Sequence, residues 1–245
     1  MQGVEVIDLS KKFRIYHDKS NYLKERAIFW NRNKADDFWA LRGINLSIAR
    51  GTTVGLIGRN GSGKSTLLKI ISRILYPTSG QVKVNGRVST LLELGAGFHN
   101  DYTGRENIFL NASILGFSRK DIKEQLDDII AFAELGDFID NPVRNYSSGM
   151  FMRLGFAVAV HVRPDILLVD EVLAVGDLAF QDKCTQKIRE MQQGGVTIIF
   201  VTHAPKQVKK LCDYAVWLDS GVVRMQGPAP GVANSYAAFM NQEQS

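Results

Sequence analysis

The chain of 245 residues holds only two cysteines, Cys184 and Cys212, and they form no C-x-x-C pair. A disulfide framework is thereby excluded, and a reducing cytosol fits. No uninterrupted apolar run approaches the roughly 18 residues that a membrane-spanning helix needs. The run Val158 to Val160, for example, is cut by His161 and Arg163. The chain is therefore not expected to span a bilayer. Met1 to Lys12 alternates polar and apolar residues without a long hydrophobic stretch, so no secretory signal is expected there. Neither internal repeats nor low-complexity tracts occur.

What is present belongs to an ordinary globular protein. Hydrophobic residues make up 45% and charged residues 22%, with 30 Lys+Arg against 25 Asp+Glu for a net charge of +5. Disorder would need fewer apolar residues and more net charge. The length suits one large domain or a core with a subdomain. A pI near 9.2 permits nucleic acid or an anionic membrane surface as partner and decides neither.

Hydropathy patterning then orders the chain. Residues 4–9 alternate like an edge strand, and Ile44 to Ile48 alternate again before the Arg50-Gly51 turn. Thr53 to Ile57 is a short apolar run ending at glycine, and Lys64 to Leu75 has helical spacing that stops before Pro77. Ile166 to Val169 and Thr197 to Val201 are continuously apolar, as strands covered on both faces are. A helical pattern from about Phe180 to Gln193 separates them. This predicts a parallel α/β core. Helical periodicity over Arg105 to Leu115, Arg119 to Leu135 and Gly149 to Val162 predicts a helical subdomain, about residues 99–163, inserted into the sheet's connectivity. Asp219-Ser220-Gly221 predicts a hairpin between Tyr214–Leu218 and Val222–Gln226, and a helix is expected from Gly231 to Met240.

Two motifs carry chemistry. Gly58-Arg59-Asn60-Gly61-Ser62-Gly63-Lys64-Ser65 fits G-x-x-x-x-G-K-[ST] and lies between a strand and a helix. Its glycines let backbone N–H groups turn inward around phosphate oxygens, and the helix N-terminus adds partial positive charge. Lys64 is expected on the β- and γ-phosphates and Ser65, followed by Thr66, on Mg²⁺. A random chain of this length would match roughly once in a hundred. The second motif is the strand Ile166 to Val169 ending in Asp170 and Glu171. Successive side chains alternate along a strand, so the two carboxylates take different roles. Asp170 suits Mg²⁺ or its water, and Glu171 suits the attacking water.

These motifs, with Tyr146-Ser147-Ser148-Gly149-Met150 between them and His203 after the next strand, resemble the nucleotide-binding subunit of an ABC transporter over nearly the whole chain. The resemblance implies a P-loop ATPase core with an inserted helical subdomain and an N-terminal antiparallel β portion, spanning residues 1–245 as one domain. The family's signature, ideally Leu-Ser-Gly-Gly-Gln, departs here at three of five positions but keeps Ser147 and Gly149. By the family pattern Ser147, Ser148 and Gly149 touch ATP bound to the opposite subunit, so a homodimer enclosing two ATP molecules is expected. His203 matches the family's switch histidine at the γ-phosphate, and Asp177 matches the aspartate that crosses the dimer interface. Phe13, or else Tyr16, is expected to stack on adenine.

One departure is larger. The family places a Mg²⁺-contacting Gln before the helical subdomain, yet no Gln occurs between Gln81 and Gln125. Glu93 stands in the matching stretch Leu91 to Phe98 and would supply a carboxylate oxygen instead. That stretch, Thr103-Gly104-Arg105-Glu106-Asn107, the signature and the loop Glu171 to Asp177 are similar to the polysaccharide-exporting branch: Wzt-like O-antigen, teichoic-acid and capsule exporters. The branch implies a separate multi-spanning permease in two copies, a lipid-linked glycan held by that permease, no nucleic acid, and a peripheral place on the cytoplasmic face of the inner membrane. Only Asn241 to Ser245 follow Met240, so no C-terminal carbohydrate-binding domain is expected. The basic segment Lys11 to Lys34, with Leu23, Ala27 and Trp30 at helical spacing, reads as a membrane-proximal amphipathic helix or as a solvated face. A soluble ABC-type ATPase acting on nucleic acid or the ribosome is the competing class.

Overall fold

The computed structural model describes residues 1–16, 35–92, 94–170 and 176–242, Tyr16 and Ala35 by backbone only. The expected amphipathic helix around Leu23, Ala27 and Trp30 lies outside these residues, as do Glu93 and Glu171 to Val175.

The alternation at residues 4–9 belongs to a longer strand, β1 (Gln2–Tyr16), paired antiparallel with β2 (Ala35–Ala49). β4 (Ser79–Val84) pairs with the other side of β1. The sheet order is β2-β1-β4, so β1 is central and not the edge strand its alternation suggested. Alternation reports one covered face and says nothing about the ladders on either side.

The second sheet contains β3 (Thr53–Ile57), β5 (Val88–Thr90), β6 (Ile166–Val169), β7 (Thr197–Thr202), β8 (Tyr214–Asp219) and β9 (Val222–Pro228). Its order is β5-β6-β7-β3-β8-β9, parallel except for the β8–β9 hairpin. That hairpin turns through Ser220 and Gly221 at φ 50 and 81, the left-handed pair that a type I′ turn needs. Every residue of β3, β6 and β7 is buried. Alternate side chains serve two cores: Ile166, Leu168, Ile199 and Val201 pack toward β1 and β2, whereas Leu167, Val169, Ile198 and Phe200 join the opposite cluster. Cutting Leu168 to Ala in such a site costs about 2–5 kcal/mol.

Helix α1 (Lys64–Ile71) follows β3 and stops earlier than its spacing predicted. Arg73 takes a left-handed φ of 63, and Leu75 N–H donates back to the Lys69 carbonyl. The chain thereby folds Leu75 onto the core and leaves Ile74 exposed. Between the parallel neighbours β5 and β6 lie α2 (Gly104–Ile114), α3 (Arg119–Ala133) and α4 (Ser148–His161), which share a cluster of their own around Ile108, Ile122, Ile129 and Leu154. Both α2 and α3 start with reciprocal capping boxes, Thr103 with Glu106 and Ser118 with Asp121. The chain closes with α5 (Leu178–Gln193), α6 (Pro205–Leu211) and α7 (Ala229–Gln242). The class is α/β with an antiparallel portion, as expected; β4, β5 and α6 had no clear sequence signal. Among the described residues no helix is long and apolar enough to cross a membrane.

Candidate nucleotide site

Three parallel strands end side by side, which is where open α/β sheets place ligands. In register, Ile57 of β3 faces Thr202 of β7, and Val169 of β6 faces Phe200 of β7. The residues that follow are Gly58, His203 and Asp170. The phosphate motif, the histidine and the strand-end aspartate therefore share one edge.

The loop itself is built for backbone approach. A side chain on Gly58 would collide with the Leu218 carbonyl of β8 and reach Ser62 Oγ at 2.7 Å. Gly63 caps α1 without any side-chain bond, at a helix start where the first backbone N–H groups have no partner within the helix. These donors and the helix dipole suit a phosphate. Lys64 is buried, and its Nζ donates to the carbonyls of Gly58 at 2.7 Å and Arg59 at 2.8 Å, which aims the ammonium into the loop. Ser62 Oγ is buried with no hydrogen-bond partner, a polar atom that an anion in the loop would satisfy. The site thus fits the phosphates of a nucleotide. Arg59 and Asn60 line, with exposed His203 and with Tyr236 and Met240 of α7, an open cavity of about 530 Å³.

The loop is also braced from outside, which the sequence did not reveal. Gly221 N–H donates to the Ser62 carbonyl at 3.2 Å, and Arg42 N–H of β2 donates to the Gly221 carbonyl at 2.8 Å. The hairpin signal at Asp219 to Gly221 was legible; that its turn lands on the phosphate loop was not.

The signature stands apart, at the N-terminus of α4. Ser147 caps that helix, its Oγ accepting from Met150 N–H at 3.2 Å, and Ser147 and Ser148 are exposed. The departure at Tyr146 has a local cause: its Oη donates to the Phe138 carbonyl at 2.8 Å and packs against Gly104. Burial raises the Tyr146 phenol above its ordinary value. Asp177 caps α5 through Phe180 N–H at 2.9 Å and pairs with Arg153 Nη2 at 2.6 Å. In the stretch Thr103 to Asn107, Arg105 makes a two-pronged pair with Asp140 at 2.7 and 3.1 Å. Fully buried Asn107 accepts from His99 N–H and donates to the carbonyls of His99, Tyr102 and Thr103. This motif pins a loop to α2.

Phe13 is half-buried on β1, opposite Phe38, with the Lys11 ammonium 5.1 Å from its ring centroid. The ring of Tyr16, Glu93 and Glu171 lie outside the described residues. Among the described residues no group of three or more His, Cys, Asp or Glu would hold a metal ion. Mg²⁺ does not require one, because it commonly takes one or two protein oxygens plus phosphate and water.

A phosphate loop at the edge of a mostly parallel sheet, with an antiparallel sheet beside it and three helices between β5 and β6, defines an ATP-binding cassette. The ABC transporter family model matches residues 41–174, more than half of the chain, which therefore belongs to that family as its ATP-binding, ATP-hydrolysing part. Among curated proteins, the chain is 51% identical over 243 residues to the O-antigen export system ATP-binding protein RfbB of Myxococcus xanthus, covering 96% of this chain and 56% of that one. It is 45% identical over 237 residues to the protein of the same name from Klebsiella pneumoniae, covering 95% of this chain and 96% of that one. It is 46% identical over 233 residues to the teichoic acids export ATP-binding protein TagH of Listeria innocua, covering 95% and 69%. In fold it resembles a dimeric post-hydrolysis ATP-binding cassette bound to ADP and Pi, at a TM-score of 0.71 and 21% identity, over 92% of this chain and 98% of that one.

Proposed function

We propose that the chain is the ATP-hydrolysing subunit of an exporter that moves a lipid-linked polysaccharide, an O-antigen in the first instance, across the cytoplasmic membrane. The observation that carries this reading is the match along nearly the full length of an O-antigen export ATP-binding protein, joined to a phosphate loop with its lysine and helix N-terminus in place. Relatives named for export, and not for nucleic acid, favour it over the soluble alternative.

In this reading the N–H groups of Gly58 to Thr66 and Lys64 hold the phosphates, and Phe13 or Tyr16 stacks on adenine. Ser65, Asp170 and Glu93 take Mg²⁺, which would neutralise charge developing on the phosphate oxygens. Glu171 orients and deprotonates water, and His203 meets the γ-phosphate. Ser147, Ser148, Gly149 and Asp177 act on ATP held by the second subunit of a homodimer. Residues 99–163 serve as the helical subdomain. A groove of about 520 Å³ supports docking of the permease; Ile74, Leu94, Ala96 and Ile114 line it between the end of α1 and α2. Ile114 and Ile74 are exposed there, apolar surface of the kind that marks an interface. ATP closure would act on the permease by stabilising one of two conformations, with no contact to sugar.

Deleting the protein tests this. Completed lipid-linked glycan should remain on the cytoplasmic face while its synthesis continues. Surface glycan in normal amount, in a strain with no second exporter, would refute the assignment.

A further inference from the structure

Arg153 lies on α4, one helical turn beyond Gly149, and is largely buried, its side chain 19% exposed. Its guanidinium reaches two carboxylates on two other segments. Nη1 donates to Glu134 Oε2 at 2.9 Å, and Nη2 donates to Asp177 Oδ2 at 2.6 Å. Its plane covers the Phe180 ring at 4.8 Å. Glu134 is the residue where α3 ends, held in a left-handed backbone at φ 57, and Lys183 of α5 grips its other oxygen at 3.0 Å. A side chain on Gly176 would stand 3.2 Å from Arg153 Nε, so the loop backbone passes close beside the guanidinium. One side chain therefore joins the signature helix, the end of α3 and residues Gly176 and Asp177 at the start of α5.

An exposed ion pair contributes little. This one is partly enclosed, bridges two acceptors and rests on an aromatic face, which is the arrangement that arginine makes and lysine does not. Asp177 also spends its other oxygen capping α5, so its position is over-determined from both sides.

We propose that Arg153 is a positioning residue for ATP hydrolysis: by holding Asp177 it sets the start of α5 in register with the signature helix of the same chain, so that the two surfaces offered to the second subunit move as one. The proposal rests on the reading of Ser147 and Asp177 as contacts across the dimer. Its partner is a second copy of this chain, and Glu134 with Lys183 fixes the guanidinium.

The test is a double-mutant cycle in the full chain with Arg153→Met, which keeps an unbranched stem and removes the guanidinium, and Asp177→Asn, which keeps the helix cap and removes the charge. Arg153→Met should bind nucleotide as the wild type does, and in each single variant kcat should fall roughly tenfold or more, as a misplaced contact of about 1 Å allows. The double variant should fall no further than the worse single one. Losses that multiply, or a single variant with normal kcat, would overturn the proposal. Should Arg153→Met fail to fold, Glu134→Gln takes its place in the same cycle, where non-additive losses again support the proposal and multiplying losses again overturn it. The cycle is read a second time in ATP-driven association within a Glu171→Gln background, where independent effects on dimerisation count against the proposal. Failure of the underlying reading shows elsewhere, as absent recovery of activity when Ser147 and Lys64 variants are mixed.

Discussion

Gly58→Ala is the sharpest perturbation of the phosphate loop. The added methyl would press into the Leu218 carbonyl and stand 2.7 Å from Ser62 Oγ, closer than real Cβ atoms come to their neighbours. The carbonyl belongs to β8, whose neighbouring Trp217 lies in register with Ile57, so the wall does not yield as a side chain would. Relief needs a shift on the order of 1 Å of the loop away from β8. Overpacking of this kind costs about 1–3 kcal/mol, or a fall in Tm of roughly 2–12 °C for a chain this size. Gly61→Ala is the matched comparison: at φ 80 with nothing within 4 Å of the new methyl, it carries only backbone strain, about 1–2 kcal/mol. Strain equal in the free and bound protein cancels in binding. The two variants should therefore resemble each other in calorimetric Tm and differ in nucleotide affinity and turnover. Gly58→Ala should lose about 10²-fold in kcat/KM, and Gly61→Ala should bind nucleotide as the wild type does. Equal affinity of Gly58→Ala and wild type, or a greater affinity loss in Gly61→Ala, would refute the reasoning.

Further outcomes follow from the proposed roles and from burial. Glu171→Gln should bind ATP and stay dimeric with little turnover, whereas Lys64→Ala should weaken binding itself, measured by titration and phosphate release. Mixing inactive Ser147→Ala and Lys64→Ala subunits should restore some hydrolysis through one intact composite site; heterodimers shown to form yet wholly inactive would deny action in trans. Burial lowers the pKa of His161, with Lys187 adding to the effect and its bond to Ala157, Asp128 and Glu190 opposing it. A base depressed in the fold takes up its proton more readily unfolded, so stability should fall as pH drops below about 6.5, and His161→Asn should blunt that slope in a pH series of melts. The thiols of Cys184 and Cys212 are pushed up to about 12 by burial, so alkylation at pH 8 should be slow until the chain is unfolded.

The strands that carry the site were legible because their covered faces leave a mark in composition. Ile166 to Val169 and Thr53 to Ile57 have the bounds that their apolar runs predicted. Continuous apolarity says that both faces are covered, and the two core clusters cover them. β5, at three residues, is too short to show a period, and it is placed by its neighbours: Ser89 Oγ donates to the Ala159 carbonyl of α4 at 2.8 Å. The phosphate loop was readable because its chemistry is local, glycines beside lysine and serine. Arg153 was not, since its partners Glu134 and Asp177 lie 19 and 24 positions away and meet it only through the packing of three segments.

The turn at Gly221 closes the two sheets onto each other at the nucleotide edge. Its carbonyl takes Arg42 N–H from the antiparallel sheet, and its N–H goes to Ser62 in the phosphate loop. A side chain there would meet the Ala40 carbonyl at 2.8 Å, and φ 81 disfavours any residue but glycine. The strand pair that carries Phe13 and the loop proposed to grip the phosphates are thus stitched through a single residue. If Phe13 stacks on the base as proposed, base and phosphates would be held at a span that this residue sets, because one of the two Gly221 bonds would have to break before the loop and the strand pair could part.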